Sequence, residues 1–197
     1  MTDFTIQKGS TFSRVLRWET SPFVYTPITA ITKAAPAVVT AVGHGLVDGW
    51  RAAIISVVGM RQINSKNSPL RSSDFHKVSF VSSTQVGFND TDSSLFGTYT
   101  SGGYLCSYTP VDLAGFTARM QIRASAEAVD PPLLSLVSPT DITLDNTAKA
   151  ITITITATVT AAFTFAAGVY ALELVSATGV VTQLLSGNII VLDEVTR

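Results

Sequence analysis

From Ile151 to Thr160 the chain reads ITITITATVT, with threonine between apolar side chains at almost every step. A period of two sends successive side chains to opposite sides of a strand. The pattern predicts one half-buried antiparallel strand over 151–160. Ile151, Ile153, Ile155, Ala157 and Val159 face inward, and the threonines from Thr152 to Thr160 face outward. Phe116–Arg123 repeats the style, with Phe116, Ala118, Met120 and Ile122 opposite Thr117, Arg119, Gln121 and Arg123. Phe75–Val81 also alternates. Shorter strands are predicted within 4–6, 10–19, 28–32, 38–42, 51–57, 84–88, 104–108, 133–137, 142–144, 169–175, 180–186 and 189–195. Turn signals separate them, among them Ser21-Pro22, Asp48-Gly49, Asp145-Asn146 and Gly187-Asn188. The most helical stretch, 161–167, predicts a single turn.

Many short strands with regular turns predict an all-β fold. The first strands, before Pro22, have no partners nearby in sequence, and the long polar middle fits poorly into one sandwich. The economical arrangement is an immunoglobulin-like β-sandwich with a small β-barrel inserted. Residues 1–25 pair with 109–197, and 26–108 fold separately. Insertion at a loop whose two ends lie close together costs little.

Composition changes the picture in one respect. Of the 197 residues, 14% are charged, against about 25% in an ordinary globular chain, while 46% are hydrophobic. Serine, threonine and alanine take the usual places of lysine and glutamate. A surface so poor in charge resists association weakly, which predicts that other subunits cover much of it. The net charge is −1 and no basic run is present, so nucleic-acid binding is not expected. No apolar run reaches the roughly 18 residues of a membrane helix. Met1–Ser10 holds no apolar segment of the signal-peptide kind. The lone Cys106 has no partner for an intrachain disulfide and reads as a small buried hydrophobe.

Little in the chain points to catalysis. His44 and His76 are the only histidines. His44 stands between Gly43 and Gly45, with Asp48 as the nearest acid, and the two read as residues that structure a loop. No metal-ligand spacing is present, no cofactor is expected, and no nucleophile, P-loop or dinucleotide motif occurs. Asn89-Asp90-Thr91-Asp92 resembles part of a calcium loop but lacks its glycine and distant glutamate. Arg119 and Arg123, on the outward face of their strand, are candidate interface residues, as are Trp50 and Arg197. The closing segment Ile189–Arg197 either completes its own sheet or adds to a neighbour's.

Two segments carry a resemblance. Ile28–Asn64 contains the alternating Ala35-Pro36-Ala37-Val38-Val39-Thr40 run, Gly43-His44-Gly45-Leu46, the Asp48-Gly49 turn and Gly59-Met60 leading to Ile63-Asn64. It resembles a small β-barrel module of phage tail proteins, itself similar to the first catalytic-cysteine half-domain of ubiquitin-activating enzymes. The likeness continues to Gly97-Thr98-Tyr99 and Gly102-Gly103. The flanks, with Gly9-Ser10-Thr11-Phe12, Leu113–Arg123 and Gly168–Leu174, resemble the N-terminal immunoglobulin-like domain of upper baseplate proteins of siphophages. Family members often carry Tyr-Asp where this chain has Tyr170-Ala171. The resemblance implies a non-enzymatic structural component of the virion, made in the host cytoplasm and built into a phage tail, baseplate or neck. Its partners would be copies of itself, other tail, baseplate or neck proteins, and a fibre or receptor-binding protein that it attaches.

Two other functions remain open on the residues. A carbohydrate- or receptor-binding module needs an exposed aromatic platform. Trp18 reads as core, so Trp50, after the Asp48-Gly49 turn, is the better candidate. A capsid decoration protein is the other.

Overall fold

In a computed structural model of the chain, residues 2–194 are described. The fold is all-β, with several sheets, one curled into a half-barrel. From the start of the chain run β1 (Phe4–Gln7) and β2 (Phe12–Leu16). The middle holds β3 (Glu19–Pro27), β4 (Ala30–Ile31), β5 (Ala37–Thr40), β6 (Arg51–Val58), β7 (His76–Ser82), β8 (Gln85–Phe88) and β9 (Ser101–Pro110). The return holds β10 (Thr117–Arg123), β11 (Leu134–Val137), β12 (Ile142–Asp145), β13 (Ala150–Ile155), the helix α1 (Ala157–Ala161), β14 (Ala167–Val175) and β15 (Val181–Leu192). The chain separates into two compact units. One takes the two ends, up to Trp18 and from Val111, and the other is Glu19–Pro110.

The first unit has a five-stranded sheet, in the order β1-β15-β14-β10-β11, and a three-stranded sheet, β12-β13-β2. Both contribute to one core: Ile151, Ile153 and Ile155 of β13 with Met120, Ile122, Leu172 and Leu174 of β10 and β14. Each such side chain taken from water contributes about 1.5–3 kcal/mol. The pairing is long-range. β1 lies parallel to β15, Phe4 opposite Ile189, and β2 lies antiparallel to β13. Tyr170 ties the chain start down, stacking on Phe4 at 4.6 Å and donating its hydroxyl to the Thr2 carbonyl at 2.6 Å. Burial pushes the phenol up to about 12, helped by Asp3 and opposed by Arg14.

Two elements differ from the sequence reading here. The strand of alternating threonines stops at Ile155. Thr156 turns out of it and accepts the Val159 N–H, capping α1. Thr160 is consequently buried rather than outward, its one hydroxyl proton within reach of both the Ser10 and Ala157 carbonyls, at 2.8 and 3.0 Å from the oxygen. Gly187-Asn188 makes no turn, because β15 runs straight through it. Glycine is required there for closeness: a Cβ on Gly187 would collide with the Thr2 carbonyl.

The second unit is one sheet of seven strands, β3-β9-β6-β7-β8-β5-β4. Its core gathers Trp50, Phe88, Ile54, Leu105, Val39 and Val86. Ser21-Pro22, which reads as a break, lies inside β3. Pairing with β9 becomes irregular between Thr20 and Val24, so the missing proline N–H falls where the edge ladder does not need it. Because β3 pairs with β9, residues 19–25 belong to this unit. Asn64 repairs a gap in β6. Its side-chain amide accepts the Val57 N–H at 2.8 Å and donates to the Val57 carbonyl at 3.0 Å, as a paired strand would.

Candidate binding surface

The loop that carries His44 is fastened to β7. The Leu46 N–H donates to Nδ1 of His44 at 3.0 Å, and Nε2 lies 3.0 Å from the Ser82 carbonyl. A ring that accepts at Nδ1 and donates at Nε2 is the neutral Nε2–H tautomer. Asp48 accepts the Phe80 N–H at 2.6 Å. Each side chain thus replaces a backbone partner between the loop and the strand.

Trp50 is 1% exposed and belongs to the core of its unit, which corrects its candidacy as an aromatic platform or interface residue. The turn before it folds the indole inward with Leu46, where burying so large a ring contributes most. Trp18 packs edge-on against Phe116 at 5.7 Å, partly buried on the core of the first unit. Arg119 pairs with Glu173 directly across β10 and β14 at 2.7 Å. Arg123 donates to the Ala128 carbonyl at 2.8 Å and to Asp130 at 2.6 Å, with Gln121 beside it. Both arginines are therefore engaged within the unit, in exposed pairs that contribute at most about 1 kcal/mol each. Arg197 lies outside the described residues.

The aromatic surface lies elsewhere, on the outer side of β3 and β9. Phe23 and Tyr25 stand two apart on β3, and Tyr104 and Tyr108 four apart on β9, all on one side of the sheet. Phe75 joins them. Tyr25 meets Tyr104 at 6.3 Å and nearly perpendicular, and Phe23 meets Tyr25 at 6.4 Å. Phe23, Phe75 and Tyr108 then cluster at 4.5–5.6 Å, with Phe75 and Tyr108 only 22° from parallel. Tyr25 remains 51% exposed and Tyr104 43%. Cys106 lies buried beneath the rings between Tyr104 and Tyr108, and burial raises its thiol to about 11. This residue is chemically quiet.

The aromatic spacing in sequence is a signal, since positions two or four apart in a strand share a side. It escapes a reading along the chain because Pro22 hides β3 and its partner β9 lies about eighty residues on.

The clefts formed by described residues of this unit include the following two. The first, of about 550 Å³, is mixed in character, with Asn67, Asp74, His76, Asp90 and Asp92 beside Ile63, Phe88 and Phe96. His76 Nδ1 lies 2.9 Å from Asp90. Burial pushes the Asp90 carboxyl up, but the hydrogen bond and charge of His76, with Thr91, hold it below its ordinary value. Asp92 is held low by the hydroxyl and N–H of Ser94, so it serves its own turn. The second cleft, of about 420 Å³, borders the rings. Glu19, Arg51, Arg71, Ser72, Phe75 and Tyr108 line it.

Among the described residues no group of three or more His, Cys, Asp or Glu is placed to hold a metal ion. No helix among them is long and apolar enough to cross a membrane. The chain matches no family model, and no curated protein matches it.

Proposed function

We propose that the chain is a non-enzymatic structural protein of a phage tail, baseplate or neck, and that it works by docking neighbouring proteins, a fibre or receptor-binding protein among them. In this reading the first unit is an immunoglobulin-like sandwich that supplies the platform, and the second is a small barrel inserted into it. The observation that carries the docking role is the ring-studded side of β3 and β9, where Tyr25 and Tyr104 stand about half exposed beside Phe23. Tyrosine is enriched at protein interfaces because one rigid side chain brings a large apolar area and a polar tip. Clustered exposed aromatics on a charge-poor chain mark a surface that a partner covers. The virion assignment draws support from the resemblance of 28–64 and of the flanks to phage tail and baseplate modules.

The test is made on particles. Mass spectrometry of purified virions, with tails separated from capsids, should find the chain in the tail fraction in fixed proportion to its neighbours. A Tyr25→Ser/Tyr104→Ser double variant, shown to fold by its melting transition, should enter particles at least tenfold less well. Absence of the chain from virions sinks the assignment, and recovery in the capsid fraction makes it a decoration protein. Wild-type incorporation of the double variant removes the docking role from this surface.

A further inference from the structure

The cleft at the end of the aromatic surface has a makeup that docking a protein does not require. Part of its lining is aromatic: Phe75 and Tyr108 stack at 5.6 Å and 22° from parallel, with Phe23 at 5.5 and 4.5 Å from them. The rest of the lining is mostly polar and charged. Arg51 donates to Glu19 at 2.5 Å through one terminal nitrogen, and its side chain stays half exposed. A guanidinium has five N–H donors, so Arg51 keeps several to offer. Arg71 is held by its main chain, whose N–H donates to Asp74 at 2.7 Å at the start of the one-turn helix Ser72–Asp74. Its exposed guanidinium makes no ion pair among the described residues. Ser21 and Ser72 add hydroxyls to the same lining.

The geometry points to a binding site for an acidic saccharide, a pyranose bearing a carboxylate. The sugar's C–H face would lie on the Phe75–Tyr108 pair, its hydroxyls would exchange hydrogen bonds with Glu19, Arg51 and the serines, and its carboxylate would take the Arg71 fork. Each part of the cleft argues for one part of that ligand. A simple anion has no use for the rings. A purely apolar ligand would make no use of the polar and charged groups that line the cleft. A neutral sugar would leave one positive charge over, since two arginines face one glutamate. Arg71 can bind a carboxylate bidentately, and such charge-assisted pairs are the stronger kind. The volume of about 420 Å³ lies in the range of small-ligand sites.

The test uses the purified full chain and calorimetric titration with three probes. They are a glucuronate-containing oligosaccharide, the same oligosaccharide with its carboxyls reduced to alcohols, and adenosine monophosphate. The acidic sugar should bind, the reduced one about tenfold more weakly, a loss of about 1.4 kcal/mol. The nucleotide, which also joins a flat ring to an anion, should bind less well than the acidic sugar. Arg71→Gln, at an exposed side chain without an ion pair, should cost the acidic sugar about tenfold and leave the reduced sugar unchanged. Tyr108→Leu should abolish both, and Phe75→Leu offers the same readout should the first variant fail to fold. The site is overturned by equal affinity for acidic and reduced sugars, by an Arg71→Gln variant that binds as wild type, by tighter binding of the nucleotide, or by no heat with any sugar. None of these results bears on whether the chain is found in virions.

Discussion

Asp74 shows how one side chain can set a loop. Its carboxylate accepts the Arg71 N–H at 2.7 Å and the Asn67 amide at 3.0 Å. The Arg71 hydrogen bond is the largest influence and lowers the acid's pKa below 3.8. Burial opposes it, and Asn67 and Lys66 add to the lowering. A carboxyl lowered in the folded state stabilises the fold above its unfolded pKa and loses that contribution as pH falls through the folded value. Asp74→Asn should therefore melt below wild type at neutral pH, and the gap should narrow as pH drops below about 4. Melting curves from neutral to acid pH check this, and a gap that stays constant would remove the role. At this scale the sequence was half legible. Gly43-His44-Gly45 announces an unusual loop, but its anchor at Ser82 lies 38 residues on and cannot be read from spacing. Trp50 misled because a tryptophan after a turn looks available, whereas it belongs to the core of its unit.

Elements were legible wherever apolar and polar positions alternate between unambiguous turns, as in β10 and the first half of ITITITATVT. They were misread where a residue type has two uses. Thr156 is as good a helix cap as a strand residue. Gly187-Asn188 spells a turn, yet the glycine serves to let the Thr2 carbonyl approach β15. Gly187→Ala should therefore push the chain start off the sheet and cost about 1–3 kcal/mol, the usual range for forced overpacking. Thermal melts measure the loss, and amide exchange should show Phe4–Gln7 losing protection first. Unchanged melting would mean that the Thr2 carbonyl yields without cost. Pro22 misled in the same way, since a proline in an edge strand at an irregular pairing interrupts nothing.

For the whole molecule, the main sequence signal was that the first strands, before Pro22, have no partners nearby in sequence. The structure supplies a detail that spacing cannot. The Val111 N–H donates to the Trp18 carbonyl at 3.0 Å, so the chain leaves the first unit and re-enters it at hydrogen-bonded neighbours. Each unit also has its own core. Deleting 19–110 and joining Trp18 to Val111 through a short Gly/Ser turn should therefore leave the first unit folded, with a cooperative melt and dispersed amide resonances. A molten product, with secondary structure but no sharp transition, would show that the first unit depends on what was removed. The aromatic surface was the part of the candidate site least open to sequence. Its rings come from three separated segments, set side by side by the β3–β9 pairing and by the docking of Phe75 on Phe23 and Tyr108.

The pairing of Phe4 with Ile189 has a consequence for synthesis. On the ribosome the opening strands emerge without anything to pair with, while Glu19–Pro110 leaves the exit tunnel as a complete unit. At about 5–20 residues per second, β1 and β2 wait roughly ten to forty seconds for β13 and β15. During that interval the nascent chain carries an unfinished sheet, which places the period of greatest exposure to aggregation, and to chaperones, before β13 and β15 emerge.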